Sequence, residues 1–148
     1  PAQRLVATVV DTTNADALLS AYSAMPAASA ARRVALPLFR RNHVGLSTGI
    51  QVMNTGATAA SVHIDFSATN AVTGVSTPIV GCTVCTQSVP PNGSYTWWPP
   101  SIAAIPNGTF GAAVVTASEP VFVLVNDYPT SPGGPSTDPG TYLGIAAP

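Results

Sequence analysis

Arg4-Leu-Val-Ala-Thr-Val-Val-Asp11 is the stretch on which the reading of this chain turns, because a near copy returns as Pro120-Val-Phe-Val-Leu-Val-Asn-Asp127. Setting Leu5 on Val121, an offset of 116 residues, also places Val9 on Val125 and Asp11 on Asp127. Beyond a loop of variable length, Ala21-Tyr-Ser-Ala-Met-Pro-Ala-Ala28 faces Thr141-Tyr-Leu-Gly-Ile-Ala-Ala-Pro148, with Tyr22 and Tyr142 offset by 120. The difference between the two offsets falls in the loop, where insertions are tolerated. The chain thus reads as carrying one strand–loop–strand element twice and everything else once. Chance similarity between two apolar strands is the competing explanation. If the duplication is real, one copy is surplus to a closed domain, and a neighbouring copy of the protein is its natural home.

At 148 residues the chain suits one domain with a substantial core. Only 7% of residues are charged, against about 25% in typical soluble proteins. Lysine does not occur, and five arginines oppose six acids. A monomer so poor in charge has little to keep it from associating. Either Ser, Thr, Asn and Gly cover the surface, with or without attached sugar, or much of it is buried in an assembly. A net charge of −1 argues against nucleic acid as a partner, since phosphate binding needs an excess of cations. No run of about 18 apolar residues exists to span a membrane as a helix. The opening Pro1-Ala2, without an initiating methionine, reads as a processed end. Scarce charge, no lysine and abundant Thr and Ser suit an exported surface protein.

Leu5 to Val10 is apolar on both faces, as in a strand covered from two sides. Asn14 to Leu19 can form a helical turn, and Ala27 to Ala31 reads as a linker. Arg32 to Arg41 is expected as a strand, at an edge or broken at Pro37, which cannot donate to a ladder. Its arginine pairs are expected to lie along the surface and discourage edge pairing, with a basic docking patch as the alternative. Ser47 to Asn54 alternates, as does Ala60 to Phe66. In the latter Val62, Ile64 and Phe66 point one way while Ser61, His63 and Asp65 point the other. Further strands are expected over Thr77 to Gln87, Ser94 to Trp98, Thr109 to Thr116 and Thr141 to Ala146. Turns are expected at Pro90 to Gly93 and at Ser118-Glu-Pro120. Short strands, frequent turn signals and no convincing helix indicate an all-β, antiparallel β-sandwich.

Leu36-Pro-Leu, Arg41-Asn42, Ser47-Thr-Gly-Ile-Gln-Val-Met-Asn54, Val89-Pro-Pro-Asn-Gly-Ser94, Phe110-Gly-Ala-Ala-Val-Val-Thr116 and Glu119-Pro-Val121 together resemble a secreted repeat module of surface proteins of Chloroflexi-type filamentous bacteria. The resemblance covers residues 34–127 and rests on strands and turns. It implies an immunoglobulin-like sandwich, an extracellular location and head-to-tail arrays, and it brings no chemistry with it. This chain departs in holding one module plus the extra leading element. Either it was cut from an array, or separate subunits reproduce the array by strand exchange.

No constellation supports catalysis. His63 and Asp65 share a strand face but lack the further ligands a metal site needs, and His43 stands apart. No Gly-x-Ser-x-Gly elbow, paired glycosidase carboxylates or phosphate loop is present. Cys82-Thr-Val-Cys85 has redox spacing without the helical setting that goes with it. A bond between residues three apart in a strand needs a bulge or tight loop. An intramolecular disulfide is favoured over bonds between subunits, free thiols or metal. Trp97 and Trp98, with Tyr95, are candidates for stacking on sugar, although alternation splits them between faces and favours core and interface roles. Asn92-Gly-Ser94 and Asn107-Gly-Thr109 are glycosylation sequons that are equally tight turns.

The sequence therefore points to a non-enzymatic structural subunit of an extracellular filament or surface array. In this reading residues 1–31 form a linking extension and 32–148 the sandwich domain. Leu5, Val6, Ala7, Thr8, Val9 and Val10 would pair with the sheet of an identical subunit. No cofactor is expected. The alternative is an adhesion module for carbohydrate or another surface, or one module excised from a tandem-repeat protein.

Overall fold

A computed structural model describes residues 8–12, 19–130 and 140–148. The expected helical turn from Asn14, the Pro/Gly-rich loop at 131–139 and the linking residues Leu5, Val6 and Ala7 lie outside the described residues, apart from Leu19 and Gly140 at their ends. The chain is all-β and antiparallel. Its strands are β1 (Thr8–Thr12), β2 (Leu19–Ser23), β3 (Ala31–Arg41), β4 (Leu46–Asn54), β5 (Ala60–Thr69), β6 (Ser76–Pro78), β7 (Thr86–Val89), β8 (Ser94–Trp97), β9 (Thr109–Pro129), β10 (Thr141–Leu143) and β11 (Ile145–Ala146). Single 3-10 turns at Ala27–Ser29 and Pro99–Ser101 are the helical elements among the described residues.

The longest strand, β9, organises the body. Its first half lies between β3 and β5, with Val115 facing both Val34 and Ile64. Its second half lies between β4 and β10, with Val125 facing both Ile50 and Tyr142. Odd-numbered residues point inward in both halves: Ala113, Val115 and Ala117, then Val121, Val123 and Val125, are all buried. Period-2 alternation is therefore kept in phase while the neighbours on either side change. The exchange occurs at residues 118–120, which the sequence suggested as a turn; the strand instead bends and continues. Pro120 has no N–H to leave unpaired there, its carbonyl accepts from Thr55 N, and Ser118 Oγ accepts from Ser61 N.

Inward residues of β3, β4, β5, β7 and β8 meet those of β9 in one core, with Phe39 edge-on to Phe66 at 4.9 Å between ring centroids. The alternation of β5 is as its sequence implies: Val62, Ile64 and Phe66 are buried and Ser61, His63 and Asp65 are exposed. Strand β3 is flanked by β9 along its length and by β11 only at Val34 and Ala35, so among the described residues its Pro37 half is an edge. Its register slips between Leu36 and Phe39, so Pro37 sits in an irregularity where its missing donor costs no ladder bond.

The strand expected over Thr77 to Gln87 is interrupted. Along β5, Ile79 N donates to Phe66 O and Ile64 N donates to Cys85 O. Residues 80–84 thus stand opposite Asp65 alone and loop outward, and Cys82 and Cys85 are bonded across the detour with their Cα atoms 5.5 Å apart. The strand expected at Thr141 to Ala146 is also divided, as β10 and β11 on either side of Gly144. A Cβ on Gly144 would meet Val34 Cγ1 at 2.3 Å.

Gly111 marks the tightest approach in the body: a Cβ there would lie 1.9 Å from the carbonyl oxygen of Ser67 on β5. The obstacle is backbone, so no rotamer change relieves it. Gly111→Ala is expected to destabilise the fold by about 1–3 kcal/mol, as overpacking does, read as a lowered thermal unfolding midpoint.

Candidate functional site

The two copies of the duplicated element adopt the same pairing. In the leading copy Val9 pairs with Tyr22, and in the trailing copy Val125 pairs with Tyr142. Val10 with Ala21 corresponds to Asn126 with Thr141, and Thr8 with Ser23 to Leu124 with Leu143. A register slip by one residue in either hairpin would have broken the match. The settings differ. The trailing copy is built into the nine-stranded sheet, whereas β1 and β2 form a separate two-stranded sheet beside β10. Among the described residues β1 pairs with β2 alone, so its other edge is open.

Beside the leading hairpin runs a groove of about 380 Å³. Tyr22 and Met25 form one wall, and the outward side chains of Met53, Phe122 and Leu124 line it from β4 and β9. Gln51, Asn92 and Ser94 add neutral polar groups, and among the described residues no charged one lines the groove. Met53 is 41% exposed although it borders apolar neighbours.

On the inner side of the trailing hairpin lies a polar cluster that the sequence reading missed. Asp127 is 4% exposed, forms an ion pair with Arg40, and accepts a hydrogen bond from the Thr48 hydroxyl. Thr48 Oγ1 in turn accepts from Arg40 N at 2.8 Å. A buried carboxylate needs such partners, because an unpaired one would be costly. Nearby, the Tyr142 hydroxyl donates to Leu38 O, reaching the β3 irregularity beside Pro37. Burial raises the Tyr142 phenol from 10.0 to about 12; Asp127 pushes the same way, while the Leu38 N–H, which donates to the phenol oxygen at 3.3 Å, and Arg40 oppose it. The arginine pairs accordingly part company. Arg32 and Arg33 are exposed. Arg40 holds Asp127 of β9, and Arg41 donates to the carbonyls of Ile102 and Ile105, so the second pair ties β3 to β9 and to the 102–105 loop rather than lying along the surface.

The remaining candidates are scattered. Cys82 and Cys85 form an intrachain disulfide, and Val84 O inside that loop accepts from Trp97 Nε1 at 3.0 Å. Trp97 is 1% exposed and belongs to the core, while Trp98 faces outward against Tyr128, with ring centroids 5.9 Å apart. The two tryptophans do not make one stacking platform. Asn92 and Asn107 are exposed, and Asn92 adopts a left-handed φ of 58° in the turn that joins β7 to β8. His63 contacts Thr86 Oγ1 at 2.7 Å and Asp65 Oδ1 at 3.1 Å on the outer face. His43 lies on Phe110. Among the described residues no three His, Cys, Asp or Glu side chains gather to hold a metal, and no helix is long and apolar enough to cross a membrane.

No family model matches the chain, and no curated protein matches it. In fold it is similar to the crystal structure of Thermotoga maritima 1070, with a TM-score of 0.59 and 16% identity over 80% of this chain and 96% of that one. The Anabaena sensory rhodopsin transducer matches more loosely, with a TM-score of 0.46 and 18% identity over 64% of this chain and 91% of that one. The first likeness concerns the fold alone.

The phenol of Tyr142 gives a pH signature. Its value is higher folded than unfolded, so its stabilisation is fully present below pH 10 and fades as pH rises toward about 12. Tyr142→Phe is expected to cost about 1 kcal/mol near neutrality through the lost hydrogen bond. The gap from the parent protein should close across that alkaline window, as followed by urea unfolding at stepped pH.

Proposed function

We propose that the chain is a structural subunit of an extracellular filament or surface array, polymerising head to tail through its leading element. The observation that carries this reading is the shared register of the two hairpins: Val9 with Tyr22 repeats Val125 with Tyr142. A segment that pairs like an integral part of the sheet, yet forms its own sheet beside it, is suited to strand addition on a sister chain. In strand addition main-chain bonds satisfy an open edge and alternating side chains fill a groove. Joining unlike surfaces of successive copies gives an open polymer rather than a closed dimer.

Several features support this assignment. The charge content of 7% suits a molecule whose surface is largely covered by its own kind. The Cys82–Cys85 bond is compatible with an oxidising, extracellular setting. We read the nine-stranded body as an immunoglobulin-like sandwich, on the strength of its short hairpin-linked strands and the bend that carries β9 from one set of partners to another.

Removal of residues 1–30 tests the reading, since β3 begins at Ala31. The truncated protein is expected to remain folded by circular dichroism and to sediment as a monomer where the full chain forms polymers. Polymers of unchanged length and appearance by electron microscopy would defeat the proposal.

A further inference from the structure

The geometry points to the groove beside the leading hairpin as the seat for residues Leu5 to Val10 of a second copy of this chain. This rests on the strand-donation reading and names its acceptor. In β9 the run Val121-Phe-Val-Leu-Val125 is apolar on both faces. Val121, Val123 and Val125 fill the core, so Phe122 and Leu124 point out of the body with Met53 of β4 beside them. Only part of that outer face is covered by the described residues. Tyr22 and Met25 of the leading element stand at one side, and the groove is the gap left between them and β4.

Three properties select the occupant. Among the described residues no charged side chain lines the groove, so an acidic or basic ligand finds no partner in them, whereas Leu5 to Val10 is uncharged. That segment is apolar on both faces, so it can cover Phe122 and Leu124 with one face while the other is covered in turn. One wall of the groove is itself part of the leading element, Tyr22 of β2 and Met25 beyond it. An incoming leading segment thus finds an apolar floor for its side chains, and Tyr22 and Met25 of its own chain line the groove that takes the next copy. The arrangement repeats from copy to copy without closing.

Complementing variants of the full chain test it. Met53→Arg places a charge in the groove at an exposed position and leaves residues 1–12 intact; Gln51→Arg does the same from a second exposed position on β4. Leu5→Asp combined with Val6→Asp spoils the donated segment and leaves the groove intact. Each is expected to melt within a few degrees of the parent and to sediment as monomer. Mixing Met53→Arg with the Leu5/Val6 double variant is expected to give a discrete 1:1 pair, because one good donor meets one good groove. If folded Met53→Arg and Gln51→Arg proteins polymerise like the parent while the double variant does not, the groove is not the acceptor although donation stands. Should the double variant also polymerise normally, the donation reading itself fails. A mixture that stays monomeric overturns the pairing of these two surfaces.

Discussion

The body of this protein depends on a single strand keeping its phase. Across Thr109–Pro129 the same side of the ribbon faces the core, although β3 and β5 flank the first half and β4 and β10 the second. Had the bend at residues 118–120 inserted one extra residue, Val121, Val123 and Val125 would have turned outward and Phe122 and Leu124 inward. Instead the bend is held from outside: Thr55 satisfies the carbonyl of Pro120, and Thr58 bonds Glu119 at 2.8 Å. Core, sheet order and the apolar outer face all follow from that preserved parity.

Local patterns were legible in the sequence where local rules governed. The alternation of β5, the turn at Pro90 to Gly93, and the doubled strand–loop–strand element are written in neighbouring residues. What escaped depended on distant partners. Asp127 and Arg40 are 87 positions apart, so their ion pair is invisible to any reading of neighbours. A buried acid ending an apolar strand was nevertheless a signal that some cation had to be near. Residues 118–120 looked like a turn because proline usually breaks strands, but at a bend where pairing changes hands a missing donor is harmless. The cysteine stretch resembled one strand because its flanks are strands; only the ladder along β5 reveals the detour.

The doubled element shows how context separates two similar segments. Both copies hold valine opposite tyrosine, yet Val125 is buried between Ile50 and Tyr142, and the described residues leave β1 with β2 alone. The trailing copy has Arg40 and Thr48 to receive its terminal aspartate. A pairing preference encoded locally can thus be used twice, once inside a fold and once beside it, with the surroundings deciding how much of it is consumed.

The outward detour at residues 80–84 bears on the thickness of any such assembly. A foreign ribbon sliding along β6 and β7 meets Pro78, then a knob closed by a covalent bond and tied to Trp97, before it can register with four more residues. Sideways growth by sheet extension is thereby denied on that flank, as blunted edges deny it elsewhere. In the filament proposed above, fibres would stay slender and separate rather than fuse into bundles through this side.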